Sequence, residues 1–148
     1  MGIVDRYVAY ATTFEEAYAS DDWSKLEPFF TEDAVYAFVA PAPFGGEYKG
    51  RAAVFAQFKN SVNALDRRFN SRTVEVLAGP SEKDGGVWIR WAAIYKLAGA
   101  PDCRMEGEER ATFTGTRIAR LEDSMTEAEA ARVGAYFAQH GAKLKPTE

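Results

Sequence analysis

DDWSKLEPFFTEDAVYAFVAPAPFGGEYKGR, Asp21 to Arg51, holds more of the fold than any other stretch of this chain. Asp22 occupies an N-cap position, where its carboxylate can accept from the free amides of a short helical turn over Trp23 to Phe29. Thr31, Glu32 and Asp33 interrupt that turn, with Asp33 expected to fix the bend through a carboxylate-to-amide bond. AVYAFVA then follows, rich in residues that favour a pleated surface, and its alternation puts Tyr36 and Phe38 on one face and Val35, Ala37 and Val39 on the other. Pro41, Pro43, Gly45 and Gly46 end that strand in a loop over Ala40 to Glu47, and Gly50 leads into a new helix. A capped turn, a strand, a loop and a helix in that order describe a wall folded back over a hollow, the setting of a small-molecule pocket.

Outward from this stretch the periods are plain. Val4, Tyr7, Val8, Ala11, Phe14 and Tyr18 recur at helical spacing and predict a helix over Ile3 to Ser20. A further helix runs from about Ala52 to Leu65, with Val54, Phe58, Ser61 and Leu65 on one face and Arg51 in its first turn, positioned to bridge to an acid. The second half alternates with period two and predicts strands over Arg67 to Ala78, Val87 to Leu97, Arg104 to Phe113 and Thr116 to Glu122, joined by GPSEKDGG, AGAPD and a tight turn at Thr114 and Gly115. Thr126 and Glu129 form a T-x-x-E capping box that starts a last helix ending at His140 before Gly141. The sum is an α+β domain over residues 1–148, helices packed on one face of a curved antiparallel sheet.

Composition sets further bounds. With 148 residues and 47% hydrophobic content the chain supports one compact core, and 10 Phe, 7 Tyr and 3 Trp can fill that core or line a cavity. A net charge of −4 offers no basic stripe for a nucleic acid backbone or an anionic membrane. Cys103 and His140 are each the only residue of their type, which leaves no Cys/His metal cluster and no internal disulfide. The N-terminus lacks a signal-peptide pattern and no window reaches the length of a membrane span, so a soluble, cytoplasmic protein is expected. Cys103, in the AGAPDCR turn, reads as a chance thiol.

Two motifs carry a resemblance: Asp22, Leu26, Phe30, Asp33 and Ala34 as D-x-x-x-L-x-x-x-F-x-x-D-A, and Gly46, Tyr48, Gly50 and Arg51 as G-x-Y-x-G-R. With the order of elements, they make the chain similar to the nuclear transport factor 2-like superfamily, and most like its SnoaL-like and ketosteroid isomerase-like branch. The resemblance implies a cystatin-like cone in which the curved antiparallel sheet wraps the N-terminal helices around a deep apolar pocket. It also implies a homodimer through the outer sheet face, where Trp88 and Ile94 would pack. Ketosteroid isomerases use an aspartate base, a tyrosine and a protonated aspartic acid. On this chain the tyrosine position falls on Phe14, the base on Phe38 and the remaining acid on Glu109.

Glu109 is the sharpest catalytic candidate. Alternation sends Met105, Gly107, Glu109, Ala111 and Phe113 to the cavity side, where a carboxyl among Trp91, Tyr95 and Phe113 loses solvation and gains a raised pKa suited to proton transfer. Its bland alternative is a strand glutamate paired with an arginine or open to water. Tyr36 is the second candidate, as a hydrogen-bond donor to a substrate oxygen, with Tyr95 beside it. Phe14, Tyr18, Phe38, Phe44, Gln57, Phe58, Trp91, Tyr95 and Phe113 are the expected ligand-binding residues, with Phe44 as a flap over the mouth. Two readings stay open: an enzyme moving protons on a small hydrophobic molecule without metal or organic cofactor, as an isomerase, cyclase or dehydratase does, and a non-catalytic ligand-binding or dimerisation module. A weaker third is a protein-interaction domain using the outer sheet face.

Overall fold

The structure is a computed structural model that describes residues 2–42 and 44–146; Pro43 of the expected flap lies outside the described residues. The chain runs α1 (Ile3–Ser20), a 3-10 turn (Trp23–Phe29), β1 (Phe30–Val39), β2 (Gly46–Lys49), α2 (Arg51–Ala64), a second 3-10 turn (Asp66–Arg68), β3 (Ser71–Lys83), β4 (Gly86–Lys96), β5 (Cys103–Thr114), β6 (Arg117–Ser124) and α3 (Glu127–His140). The strands form one curved, open, six-stranded sheet in the order β2-β1-β6-β5-β4-β3. This is the expected α+β class. Among the described residues no helix is long and apolar enough to cross a membrane.

Three details differ from the sequence reading. The sheet is not wholly antiparallel, because β1 runs parallel to β6 with Phe38 opposite Asp123. These two strands are joined through α2 and the whole β3–β6 meander rather than by a hairpin, so no tight turn imposes an antiparallel pairing. The Ala40 to Glu47 loop is also shorter than expected. Gly45, at φ 99°, reverses the chain so that Gly46–Lys49 pairs back onto β1, with Tyr48 stacked on Tyr36. A Cβ at Gly45 would lie 2.8 Å from the Ala40 carbonyl oxygen, so the reversal requires glycine there.

The third difference is β3, which begins only after the Asp66–Arg68 turn and runs on through Gly79 and Pro80 to Lys83. Irregularities on either side of Ala78 absorb both residues, as an edge strand permits. The hairpin itself turns at Asp84 and Gly85, both at positive φ.

Smaller expectations shift for local reasons. Asp33 lies exposed within β1, and the turn's carboxylate bond is made by Asp22, whose Oδ1 accepts from Ser24 N at 3.2 Å. Arg51 opens α2 without an ion pair among the described residues. Cys103 is the first residue of β5 and is buried, which pushes its thiol up to about 11. Half of the capping box forms at α3: Thr126 Oγ1 accepts from Glu129 N at 3.1 Å, while the Glu129 carboxylate accepts from the backbone of Glu106 in β5 at 3.0 Å. The glutamate thus ties α3 to the sheet instead of closing on its own cap.

The core has two parts, both on the concave side. In the first, α1, the Trp23–Phe29 turn and α2 pack Tyr10, Leu26, Phe30, Val54 and Phe58 against Val87, Ala111, Ile118 and Leu121. In the second, α3 brings Ala130, Val133 and Phe137 onto Ala93, Tyr95, Met105 and Phe69. The seam between the two parts carries the polar residues described next.

Candidate active site: a buried carboxyl pair

β5 and β6 are antiparallel neighbours, and their register sets Glu109 directly opposite Asp123. Alternation turns both side chains to the concave face, along with Ala111 and Leu121, which are buried. The Tyr7 hydroxyl of α1 donates to Glu109 Oε1 at 2.5 Å, and the Tyr36 hydroxyl of β1 donates to Asp123 Oδ2 at 2.7 Å. The two carboxyls lie close enough for each to affect the other's titration. Two acids therefore meet, each with its own phenol behind it.

Burial is the main reason the Glu109 carboxyl holds its proton well above the usual carboxylate range, and the charge of Asp123 adds to it. Burial also raises Asp123, and the neighbouring Glu109, Tyr36 and Trp91 oppose it. Glu109 is the more strongly raised of the two, and the pair titrates as a unit. Desolvation likewise raises the Tyr7 and Tyr36 phenols, which stay neutral donors. Such a site offers an acid and a base side by side in a low-dielectric setting.

Trp91 completes the surroundings. It pairs with Gly107 across the β4–β5 ladder and lays its indole over that glycine: a Cβ at position 107 would fall 2.6 Å from Cζ2 of the ring. Trp91 Nε1 and Asp123 Oδ1 are both buried without a hydrogen-bonding partner among the fixed donors and acceptors. The indole is close enough to favour the Asp123 carboxylate yet outside hydrogen-bond geometry.

The other expected site residues fall in several places. Phe14 and Phe58 belong to the first core cluster and meet edge-on at 5.6 Å, and Phe113 packs against that cluster. Phe38, Phe44, Trp91 and Tyr95 belong to or border the second. Tyr36 sits at the pair, with its hydroxyl engaged on Asp123. The Tyr95 hydroxyl instead donates to Asp66 Oδ2 at 3.4 Å, away from the pair. Tyr18 lies under the Arg72 and Arg67 guanidiniums at 4.3 and 5.2 Å. Gln57 is half-buried on α2.

The sequence reading did not include Asp123 or Tyr7. Tyr7 was visible on the inward face of α1 but gives no sign of being more than a core aromatic. On the opposite sheet face, a depression of about 310 Å³ is lined by Trp88, Glu108, Arg110, Glu122, Ser124 and Lys83, with Glu109 contributing from the strand. Lys83 Nζ lies 4.6 Å over the Trp88 ring there. Among the described residues no three His, Cys, Asp or Glu side chains gather as a metal site.

A curved, open sheet packed with helices on its concave side is the nuclear transport factor 2-like, cystatin-like fold, the names carried by similar solved structures. Residues 11–127 match the SnoaL-like domain, and the chain belongs to that family. Among solved structures, a Bacillus subtilis protein proposed as an isomerase aligns with a TM-score of 0.65 at 16% identity, covering 91% of this chain and 96% of the other. A nuclear transport factor 2-like protein from Burkholderia pseudomallei aligns with a TM-score of 0.62 at 15% identity over 86% of this chain and 96% of its own. A Mycobacterium tuberculosis protein in complex with estradiol-17beta-hemisuccinate gives 0.61 at 15% identity over 84% and 96%. At these identities the likeness is one of fold. No curated protein matches the sequence.

Proposed function

We propose that this SnoaL-like protein binds a small hydrophobic molecule on the concave side of its sheet and moves a proton on it, with Glu109 as the acid and Asp123 as the base. The observation that supports this reading is the facing carboxyl pair, both members raised by burial and each backed by a phenol, Tyr7 and Tyr36. Burying two acids weakens a fold relative to an apolar pair of the same size, and such arrangements gather at functional sites. Proton transfer next to a carbonyl needs only an acid and a base within reach of one carbon and one oxygen, which is what the pair offers. The steroid-like ligand of the Mycobacterium tuberculosis neighbour is consistent with an apolar occupant of the same fold. Tyr36 takes a positioning role here, since its hydroxyl is committed to Asp123.

That commitment also favours the second reading, a ligand-holding module without turnover, because the Tyr7 and Tyr36 hydroxyls are both spent on the carboxyl pair and neither is left for a substrate oxygen. Deuterium incorporation at the α-carbon of 2-tetralone in heavy water, followed by NMR, separates the two. Catalysed exchange that falls roughly 10²–10⁴-fold in Glu109→Gln supports proton transfer, whereas binding without exchange in the unaltered protein supports the module. The outer sheet face around Trp88 and Ile94 is the proposed seat of a second copy, to be tested by sedimentation velocity.

A further inference from the structure

We infer that the free edge of β3 pairs with the same edge of a second copy of this chain, antiparallel and two-fold symmetric about Val74. β3 is the last strand of the sheet and bonds only to β4, so every other residue of 71–77 leaves its backbone N–H and C=O on the open side. Among the described residues no further backbone hydrogen bond reaches that stretch. Residues 73–77 are all exposed, and Val74, Val76 and Leu77, at 43%, 56% and 39%, are three of the five exposed large apolar side chains described. Sheet edges are ordinarily blunted by lysine, proline, a bulge or a covering element. The opposite edge follows that rule, since β2 has only four residues and ends on Lys49. Residues 73–76 carry no such guard: the first irregularity comes after Val76, and Pro80 lies beyond it.

Charge and register point to the occupant. Arg72 is already held by Glu15 at 3.0 Å and Asp66 at 3.5 Å, and Glu75 by Arg104 at 3.6 Å, so the edge calls for no charged partner. A neutral strand rich in β-branched residues fits it, and the same stretch of a second copy is such a strand. Only one two-fold register suits both copies. Centred on Glu75 it would set the two glutamates directly opposite each other, which is destabilising. Centred on Val76 it would set Arg72 opposite Pro80, which has no N–H to give, and centred on Thr73 it would carry Val76 past the start of the strand at Ser71. Centred on Val74 it sets Val74 on Val74, Thr73 opposite Glu75 and Arg72 opposite Val76, all within the regular part of the ladder. Val74 and Val76 share the sheet side of Ala93 and Trp91, their β4 partners, so the pairing buries both valines along one seam. So short a seam makes a weak, reversible dimer. It leaves the outer sheet face around Trp88 and Ile94 open.

Residue-resolved amide exchange by NMR, with sedimentation velocity on the same samples over roughly a hundredfold range of concentration, tests the pairing. As concentration rises a larger species is expected, and the outward-facing amides of residues 71–77 exchange about tenfold more slowly once about nine-tenths of the chains are paired. Val74→Lys sets two ammonium groups against each other at the two-fold and abolishes the slowing, whereas Val39→Lys, at an exposed valine of β1, keeps it. Exchange in residues 71–77 that is independent of concentration overturns the inference even where the protein associates, because contact through the outer sheet face leaves this edge open. Slow exchange already present in the monomer overturns it as well, by showing that another segment of the chain covers the edge. Slowing that survives in Val74→Lys rejects the two-fold at Val74. The concentration dependence is read in the unaltered protein, so a poorly folded variant does not decide the result.

Discussion

Glu109 and Asp123 stand directly opposite each other across the β5–β6 ladder, on the face covered by helices. Cross-strand neighbours have Cβ atoms about 4.5–5.5 Å apart, so the register leaves the two acids no room to separate. Tyr7 and Tyr36 approach from α1 and β1 to cap the outer ends of the pair. Four residues from four elements thus converge, and all three contacts among them depend on strand register or helix placement rather than on nearness in sequence.

Stability should fall as pH rises because of this pair. Both carboxyls are raised in the folded protein, so between the unfolded carboxylate range and the folded titration the native state binds more protons than the unfolded state. Their contribution is fully present below about pH 4 and is lost as pH rises through the folded values. Glu109→Gln removes a group that must stay protonated. Its urea midpoint is expected above that of the unaltered protein near pH 8 and level with it near pH 4, giving a flatter profile. A variant profile parallel to the original at all pH values would show that Glu109 is ionised in the fold.

Tyr7 and Glu109 should be strongly coupled. Tyr7→Phe leaves Glu109 Oε1 without its phenol, and Glu109→Leu leaves the buried Tyr7 hydroxyl without an acceptor, each at about 1–3 kcal/mol. The double variant removes both polar ends, so its cost is expected to be smaller than the sum by roughly 1–2 kcal/mol. Urea denaturation of the four proteins closes the cycle. Simple additivity would mean that the contact contributes nothing.

The sequence shows some of this and hides the rest for definite reasons. Glu109 is legible because EGEERATF alternates cleanly and places one acid among apolar inward positions. Asp123 is not, because the strand signal fades at Glu122 and the structure carries β6 on to Ser124. Two residues of strand decide whether that aspartate reads as a loop acid or as half of the site. The parallel β1–β6 pairing brings Phe38 beside Asp123 from a distant part of the chain, and no local pattern encodes it. β2 has only four residues and begins at a glycine, which is too little alternation to separate from a loop. Trp91 reads as one more aromatic, and its contact with Gly107 comes from the β4–β5 register.

Asp66 forms a second buried acid site, and its effect on stability can be separated from that of the pair. Arg72 Nε lies 3.5 Å from its Oδ2 and Tyr95 donates at 3.4 Å, but burial outweighs both and pushes the carboxyl up to about 6. Its contribution is present below the unfolded carboxylate value and lost as pH rises through about 6. A rise of this size corresponds to up to about 3 kcal/mol. Asp66→Asn keeps an acceptor for Tyr95 and should make the decline between about pH 4 and pH 6 shallower, leaving the part due to Glu109 and Asp123. Midpoints measured across that range check it, and an unchanged acid-side slope would place the titrating group elsewhere.

Gly107 is the position where one methyl group should do the most damage. A Cβ there would sit 2.5 Å from the Ser124 carbonyl oxygen and 2.6 Å from Trp91 Cζ2. The indole can swing away, but the carbonyl belongs to the β5–β6 ladder, where Ser124 pairs with Glu108, and can retreat only by loosening it. Gly107→Ala is therefore expected to cost roughly 1–3 kcal/mol by overpacking and to alter the near-ultraviolet circular dichroism of the tryptophans. Adding Trp91→Ala relieves the ring contact and not the carbonyl contact, so the combined variant should recover less than the clash alone would suggest. The ladder carrying Asp123 would remain displaced.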